Sequence, residues 1–309
     1  MGFLLSKIIP LYALIAAGFV LKRTLKLEVH TIAALLVYFL APMTFFAAVI
    51  GPDFEGRLLI LVGLMLATTS FIGGLTYCLS RSWGSLAGVV AFASAIGNTG
   101  YFGLPLVLAL WGPAALPMVV AIVMGSVLFE VSLGFYLMAR GHYSPRESWR
   151  KMLHLPSIYA FGLGLIIHYA QMKISPAIFN FLDLFKSAYS VLGMLLIGVA
   201  LGEMAGKIRQ MAFWLKGMLL ALGMRFLLWP ILAAGTIVIA RHLGIVWPLA
   251  EKVWFTLSAV PIGANTVAYA TELKQPAKYA AILVAISTLL GLILLPFWLI
   301  MGKAGGIIS

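Results

Sequence analysis

The chain has 309 residues, of which 63% are hydrophobic and only 10% charged, and it carries a net charge of +12. Soluble domains run at about 45–50% apolar and about 25% charged, so there are too few polar side chains to cover a water-facing globule. Soluble enzymes, DNA-binding domains, disordered chains and disulfide scaffolds are thereby excluded. A single cysteine, Cys78, leaves no internal disulfide and no cysteine metal cluster within one chain.

A hydrocarbon layer about 30 Å thick is crossed by about 20 helical residues, and the chain has length for roughly ten such spans. Apolar stretches predict spans near 3–21, 31–50, 57–79, 86–110 and 114–138, and again near 156–172, 182–202, 212–240, 249–271 and 279–300. The first stretch reads as a retained helix and not as a secretion signal. Lys7 alone precedes its apolar run, and the basic cluster Lys22, Arg23 and Lys26 follows it. The break at 140–154 carries Arg140, Arg146, Arg150 and Lys151, and is expected to be a short basic cytoplasmic hinge. The expected organisation is a first unit over 1–140, a linker over 141–155 and a second unit over 156–309.

The positive charge reads as orientation and not as a nucleic-acid surface. With the N-terminus outside, the inner segments hold Lys22, Arg23, Lys26, Arg81, Arg140, Arg146, Arg150, Lys151, Lys207, Arg209, Lys216, Lys274 and Lys278. The outer segments hold Lys7, Arg57, Lys173, Lys186, Arg241, Lys252 and Lys303, along with the acidic Asp53 and Glu55. Thirteen basic residues inside against seven outside, with Arg225 within a span, agrees with the excess of Lys and Arg on cytoplasmic loops. Both termini are then expected outside, in a plasma membrane (bacterial inner membrane).

Five spans on each side of the hinge make the second half enter the membrane in the opposite sense to the first. That is the geometry of an inverted repeat, common in secondary transporters. Pro10-Leu11-Tyr12-Ala13 and Pro156-Ser157-Ile158-Tyr159-Ala160 are a faint echo of it. A stronger echo lies in the fourth span of each half. Ala95-Ile96-Gly97-Asn98-Thr99-Gly100-Tyr101-Phe102-Gly103-Leu104-Pro105 corresponds to Ala259-Val260-Pro261-Ile262-Gly263-Ala264-Asn265-Thr266-Val267-Ala268-Tyr269. Proline removes a backbone donor and glycine tolerates unusual dihedrals, so both helices are expected to break there. Unwound backbone at membrane depth is tolerated where it is buried in protein or lines a wet cavity. Its free N–H and C=O groups, with the two asparagine amides, are then expected to serve as ligands. Two half-helix N-termini meeting at the midplane favour an anion, so a small carboxylate is the expected substrate. Asn98, Thr99, Gly100, Pro105, Pro261, Asn265, Thr266 and Ser126 are the predicted substrate-binding residues.

On these residues, and on ten spans covering essentially the whole chain, the sequence resembles the auxin efflux carrier family. Bacterial members of that family are described as malonate or permease-like carriers. The resemblance implies a five-plus-five inverted repeat with crossing broken helices at the substrate site. It also implies a scaffold of spans 1, 2, 6 and 7, with a moving transport unit of spans 3–5 and 8–10. Plant relatives carry a long cytoplasmic loop between the halves; here the link is short, so regulation through such a loop is not expected.

Glu130 in the fifth span and Arg225 in the eighth are the ionisable residues deepest in apolar surroundings, where charges are costly and face the interior or a cavity. Each is either a coupling or charge site for transport, or neutralised by a partner, the other included. Thr68, Thr69, Ser70 and Ser94 either line the pocket with Ser126 or bond back to their own helices, and Pro42 is expected to kink the second span. Gly198, Gly202 and Gly206 recur every four residues, a spacing that lets helices approach closely within one chain or against a second copy. A homodimer follows from the resemblance, not from the spacing. His30, His142, His154, His168 and His242 are scattered, so no metal site and no cofactor is expected.

The expected fold is an all-α integral membrane protein, and the expected function is secondary transport of a small organic anion by alternating, elevator-like access. The alternatives are a sodium-coupled symporter resembling the bile-acid transporters, and a channel. No HExxH, Gly-x-Gly-Asp or phosphate-binding loop motif is present, so an enzyme is not expected. Membrane lipid and the anion are the expected partners, without nucleic acid.

Overall fold

A computed structural model describes residues 2–25, 27–50, 56–140, 143–172, 174–204, 211–245 and 247–308. Lys26, Asp53, Glu55, His142, Lys173, Gly206, Lys207 and Arg209, and the side chains of Lys7 and Lys151, lie outside the described residues. Helices account for all the regular structure described, apart from one isolated β-bridge. In chain order they are α1 (Gly2–Leu25), α2 (Val29–Leu35), α3 (Ala41–Val49), α4 (Leu59–Ser80), α5 (Ser85–Ala95), α6 (Leu104–Trp111), α7 (Leu116–Phe129) and α8 (Phe135–Ala139). There follow α9 (Pro145–Leu153), α10 (Pro156–Tyr169), α11 (Pro176–Met204), α12 (Met211–Gly223), α13 (Trp229–His242), α14 (Pro248–Ser258), α15 (Asn265–Glu272) and α16 (Ala277–Ala304).

Among the described residues, six helical runs are long and apolar enough to cross a membrane: Val29–Ala47, Gly56–Trp83, Pro113–Ala139, Pro176–Gly202, Leu215–His242 and Ala277–Ala304. The chain is therefore an all-helical membrane protein. The six are fewer than the ten apolar stretches of the sequence for a local reason. The stretches near 86–110 and 249–271 are each cut into two short helices, α5 with α6 and α14 with α15, and α10 runs for only 14 residues, while α1, over the stretch near 3–21, is a 24-residue helix whose first side chains lie outside the described residues.

Proline shapes three of the helical runs in the same way, two of them long and one short. Pro42, Pro105 and Pro230 each stand two residues after a one-turn π-helix, at Leu36–Leu40, Thr99–Gly103 and Met224–Leu228 respectively. A proline cannot donate to the carbonyl four residues before it, and a widened turn is one way a helix absorbs that loss. The carbonyl released by Pro230 is that of Phe226, and it accepts the indole N–H of Trp298 at 2.7 Å. The fourth π turn, Glu130–Gly134, contains no proline. It bends at Ser132 (φ −116°, ψ −105°), whose hydroxyl donates to the Leu128 carbonyl.

The helices pack as two groups. In the first, α1 lies along α11, while α3 packs between α10 and α11. In the second, α4 packs on α5 and α7, α5 also touches α8, α12 and α16, and α14 joins α13 to α6. The groups meet where α2 touches α15 and where α11 touches α15 and α16. The close approach of α1 to α11 depends on the small-residue stripe. A Cβ on Gly198 would run into the backbone of Ile15 and Phe19, and one on Gly202 would come within 2.8 Å of the Lys22 side chain. Gly198 and Gly202 thus pack within the chain.

Candidate functional site

The two broken helices meet at their breaks. Helix α5 ends at Ala95 and the chain resumes helical geometry at Thr99; α14 ends at Ser258 and α15 begins at Asn265. Gly97 and Ile262 form an antiparallel bridge, in which Asn98 N–H donates to the Pro261 carbonyl at 2.7 Å and Gly263 N–H to the Ile96 carbonyl at 2.9 Å. Ile262 N–H donates to Ser287 Oγ on α16 at 3.1 Å. Four of the unwound backbone groups expected to hold a ligand are therefore satisfied by one another. That is a correction to the sequence reading, and its cause is that buried N–H and C=O groups brought this close pair before anything else.

Such contact requires very small side chains. A Cβ on Gly97 would sit 2.7 Å from Arg225 Cζ, and one on Gly263 2.7 Å from Ile96 Cγ2. Arg225, fully buried in the π turn between α12 and α13, closes the back of the crossing. Its Nε donates to the Val260 carbonyl at 2.7 Å and its Nη2 to the Leu257 carbonyl at 2.9 Å, so the cation caps the last carbonyls of α14, a favourable place for positive charge. Its guanidinium also lies 5.0 Å from the Trp229 ring, and Trp229 Nε1 donates to the Ser94 and Ala95 carbonyls at the end of α5. Arg225 and Glu130 hold different partners and do not pair with each other.

The two echoed asparagines play different parts. Asn98 caps the half-helix that follows it, its Oδ1 accepting Phe102 N–H at 3.2 Å. Its Nδ2 faces only the Met194 thioether at 3.9 Å, a weak acceptor, so one good donor remains at the crossing. Asn265 is fully engaged. Its Nδ2 donates to Glu130 Oε2 at 2.6 Å and lies 3.0 Å from the Tyr189 hydroxyl, while its Oδ1 accepts the Tyr101 hydroxyl at 2.8 Å. The rings of Tyr101 and Tyr189 stack obliquely, 4.6 Å apart.

These groups surround a cavity of about 30 Å³, lined among others by Gly97, Asn98, Thr99, Ser126, Glu130 and Asn265. That is room for about one water or one ion. Phe45, Gly100, Tyr101, Val123, Val127 and Tyr189 separate it from a cleft of about 710 Å³ between α3, α10 and α11 on one side and α6 and α7 on the other. A second cleft, of about 580 Å³, lies beyond the crossing between α1, α2, α11 and α15, α16. The two sit toward opposite ends of α11, one beside Pro176 to Tyr189 and the other beside Ala200. An organic anion fits either cleft, whereas the central cavity is too small for it.

Of the predicted site residues, Asn98, Thr99, Gly100, Ser126 and Asn265 come together with Glu130 around the central cavity. Pro261 contributes only its carbonyl, to Asn98. Pro105 sits in the first turn of α6 and Thr266 is fully buried in α15; neither lines the cavity. Thr68, Thr69 and Ser94 donate to the carbonyls of Leu64, Met65 and Val90 in their own helices, and do not face the cavity. Tyr189 and Phe45 were missed. Both lie in plain apolar helices without a motif, and Tyr189 meets Asn265 only across 76 positions of chain.

No family model matches the chain. The chain is similar to a protein named an uncharacterized transporter from Methanothermobacter thermautotrophicus, with 24% identity over 304 residues, covering 94% of this chain and 96% of that one. Together with the apolar helices, this full-length likeness points to a membrane transporter.

Proposed function

We propose that the chain is a secondary transporter of a small organic anion, a carboxylate, working by elevator-like alternating access. The observation that carries this reading is the pairing of two broken helices between two clefts that lie beside opposite ends of α11. A solute site closed off on both sides by a narrow crossing is what alternating access requires. The two packing groups support a scaffold of α1, α2, α3, α10 and α11 and a transport unit of spans 3–5 and 8–10, the broken helices α5, α6, α14 and α15 included, on a ten-span, five-plus-five inverted repeat like that of the auxin efflux carriers. The protein resides in a plasma membrane with both termini outside, as a homodimer, and acts without enzymatic activity, metal or cofactor.

The anion lies in the large cleft against Gly100, Tyr101 and Tyr189, with its carboxylate on the part of that wall behind which Thr99 and the Asn98 amide line the central cavity, so that a shift of the wall brings them together. Glu130 lines the adjoining cavity, and two negative charges so close repel. Anion binding therefore brings a proton to Glu130. A sodium ion in its place is the second reading, favoured by the size of the cavity and by the buried, unpartnered Ser126 hydroxyl, which lines the same cavity one helical turn before Glu130. Uptake of labelled mono- and dicarboxylates into proteoliposomes, under a proton gradient or a sodium gradient, tests both. Saturable uptake that falls at least tenfold in Asn98→Ala is expected. Equal uptake by the two proteins removes the crossing as the site, and stimulation by sodium alone selects the second reading.

A further inference from the structure

The 580 Å³ cleft holds a feature that the crossing does not explain. Gln275, in the short link between α15 and α16, is only 6% exposed, and both its Oε1 and its Nε2 lack a hydrogen-bond partner among the described residues. Two unsatisfied atoms of one buried amide cost a few kcal/mol in an empty site, by the usual penalty for a buried polar group. Gln275 lines the cleft just before α16, whose 28 residues begin at Ala277 and which has no side-chain cap on its first turn; Pro276, Ala277, Lys278 and Tyr279 line the cleft beside it. The positive end of that helix faces the same space. Lys22 and Lys278 add two cationic side chains against the single carboxylate of Glu28, while His30, also at the cleft, lies 3.8 Å from Glu272.

We infer that this cleft is a second binding site, for a carboxylate that also carries a hydroxyl donor close to the carboxyl group. The carboxylate is drawn by the α16 N-terminus and the lysines and accepts from the Gln275 amide N–H. The ligand's hydroxyl donates to the Gln275 amide oxygen. Whichever way the amide is turned, it offers one donor and one acceptor, so a plain carboxylate satisfies half of it and a hydroxycarboxylate all of it. The site is separate from the crossing, and only its class of ligand rests on the organic-anion reading.

Titration calorimetry on the purified full-length chain tests this with two probes that differ by one hydroxyl, malate and succinate. Malate is expected to bind about tenfold more tightly, the worth of one hydrogen bond to a buried partner. Gln275→Leu and Gln275→Met, each first checked by size exclusion to be folded, are expected to abolish that preference. Asn98→Ala keeps the preference whatever happens to its overall affinity. A malate preference that survives both Gln275 variants overturns the second site and leaves the carrier reading standing. Absence of binding by either acid to the parent chain overturns the second site, while the carrier reading is decided by the uptake assay.

Discussion

Asn265 holds Glu130 through a 2.6 Å hydrogen bond from its amide nitrogen to Oε2, while its amide oxygen receives the hydroxyl of Tyr101 at 2.8 Å. One side chain on α15 thereby links the acid on the π turn after α7 to the half-helix that begins the second part of the other break. A change of charge at Glu130 is felt at both sides of the crossing, which makes this link the natural route for coupling ion movement to substrate movement.

The first prediction concerns pH. If each anion enters with a proton on Glu130, binding takes up a proton, and apparent affinity weakens as pH rises, by at most about tenfold per pH unit. Glu130→Gln presents a permanently neutral group of the same shape. Its uptake is expected to be independent of proton gradient and nearly flat from acid to alkaline pH. A profile in the variant parallel to that of the parent chain removes the proton from the mechanism.

Asn98 has two jobs that substitution separates. Its oxygen caps the half-helix after the break and its amide nitrogen is the free donor. Asn98→Ala loses both, with a stability cost of about 1 kcal/mol from the cap alone. Asn98→Ser keeps a capping oxygen, so its melting temperature stays near that of the parent while its carboxylate affinity falls with that of the alanine variant. Thermal melts run beside binding titrations read the two effects apart.

The fit of Gly97 against Arg225 predicts coupled energetics. Gly97→Ala places a methyl group 2.7 Å from Arg225 Cζ and 2.9 Å from Val260 Cγ2, which costs about 1–3 kcal/mol by overpacking. Arg225→Met strips the Val260 and Leu257 carbonyls of their donor, at a cost of similar order. The double variant is expected to be less destabilised than the sum of the two, because the clash disappears with the guanidinium. Strict additivity in melting experiments contradicts this packing.

Pro230 and Trp298 form another coupled pair across α13 and α16. Trp298→Phe removes the donor to the Phe226 carbonyl and is expected to cost about 1 kcal/mol. In a Pro230→Ala background the new backbone N–H serves that carbonyl, so the same tryptophan change costs much less. The comparison of melting temperatures in the two backgrounds is the measurement.

Composition, with apolar stretches of about 20 residues, determined that the chain is a helical membrane protein, because a chain that is 63% hydrophobic and 10% charged cannot cover a water-facing surface and a β-strand crosses the membrane in about half that length. Gly97, Asn98, Pro261 and Asn265 also marked both helix breaks in the sequence, since glycine and proline act on the local backbone wherever they stand. Those local signals could not say what the breaks do to each other. Only the tertiary structure decided that the freed backbone groups pair across Gly97 and Ile262, that Arg225 caps α14, and that Glu130 answers to Asn265 and not to Arg225. The same holds for Tyr189 and for Gln275, whose meaning lies in partners found or missing in space. Hydrogen bonds between residues far apart in the chain depend on distance and burial, and neither is written in the spacing of residue types.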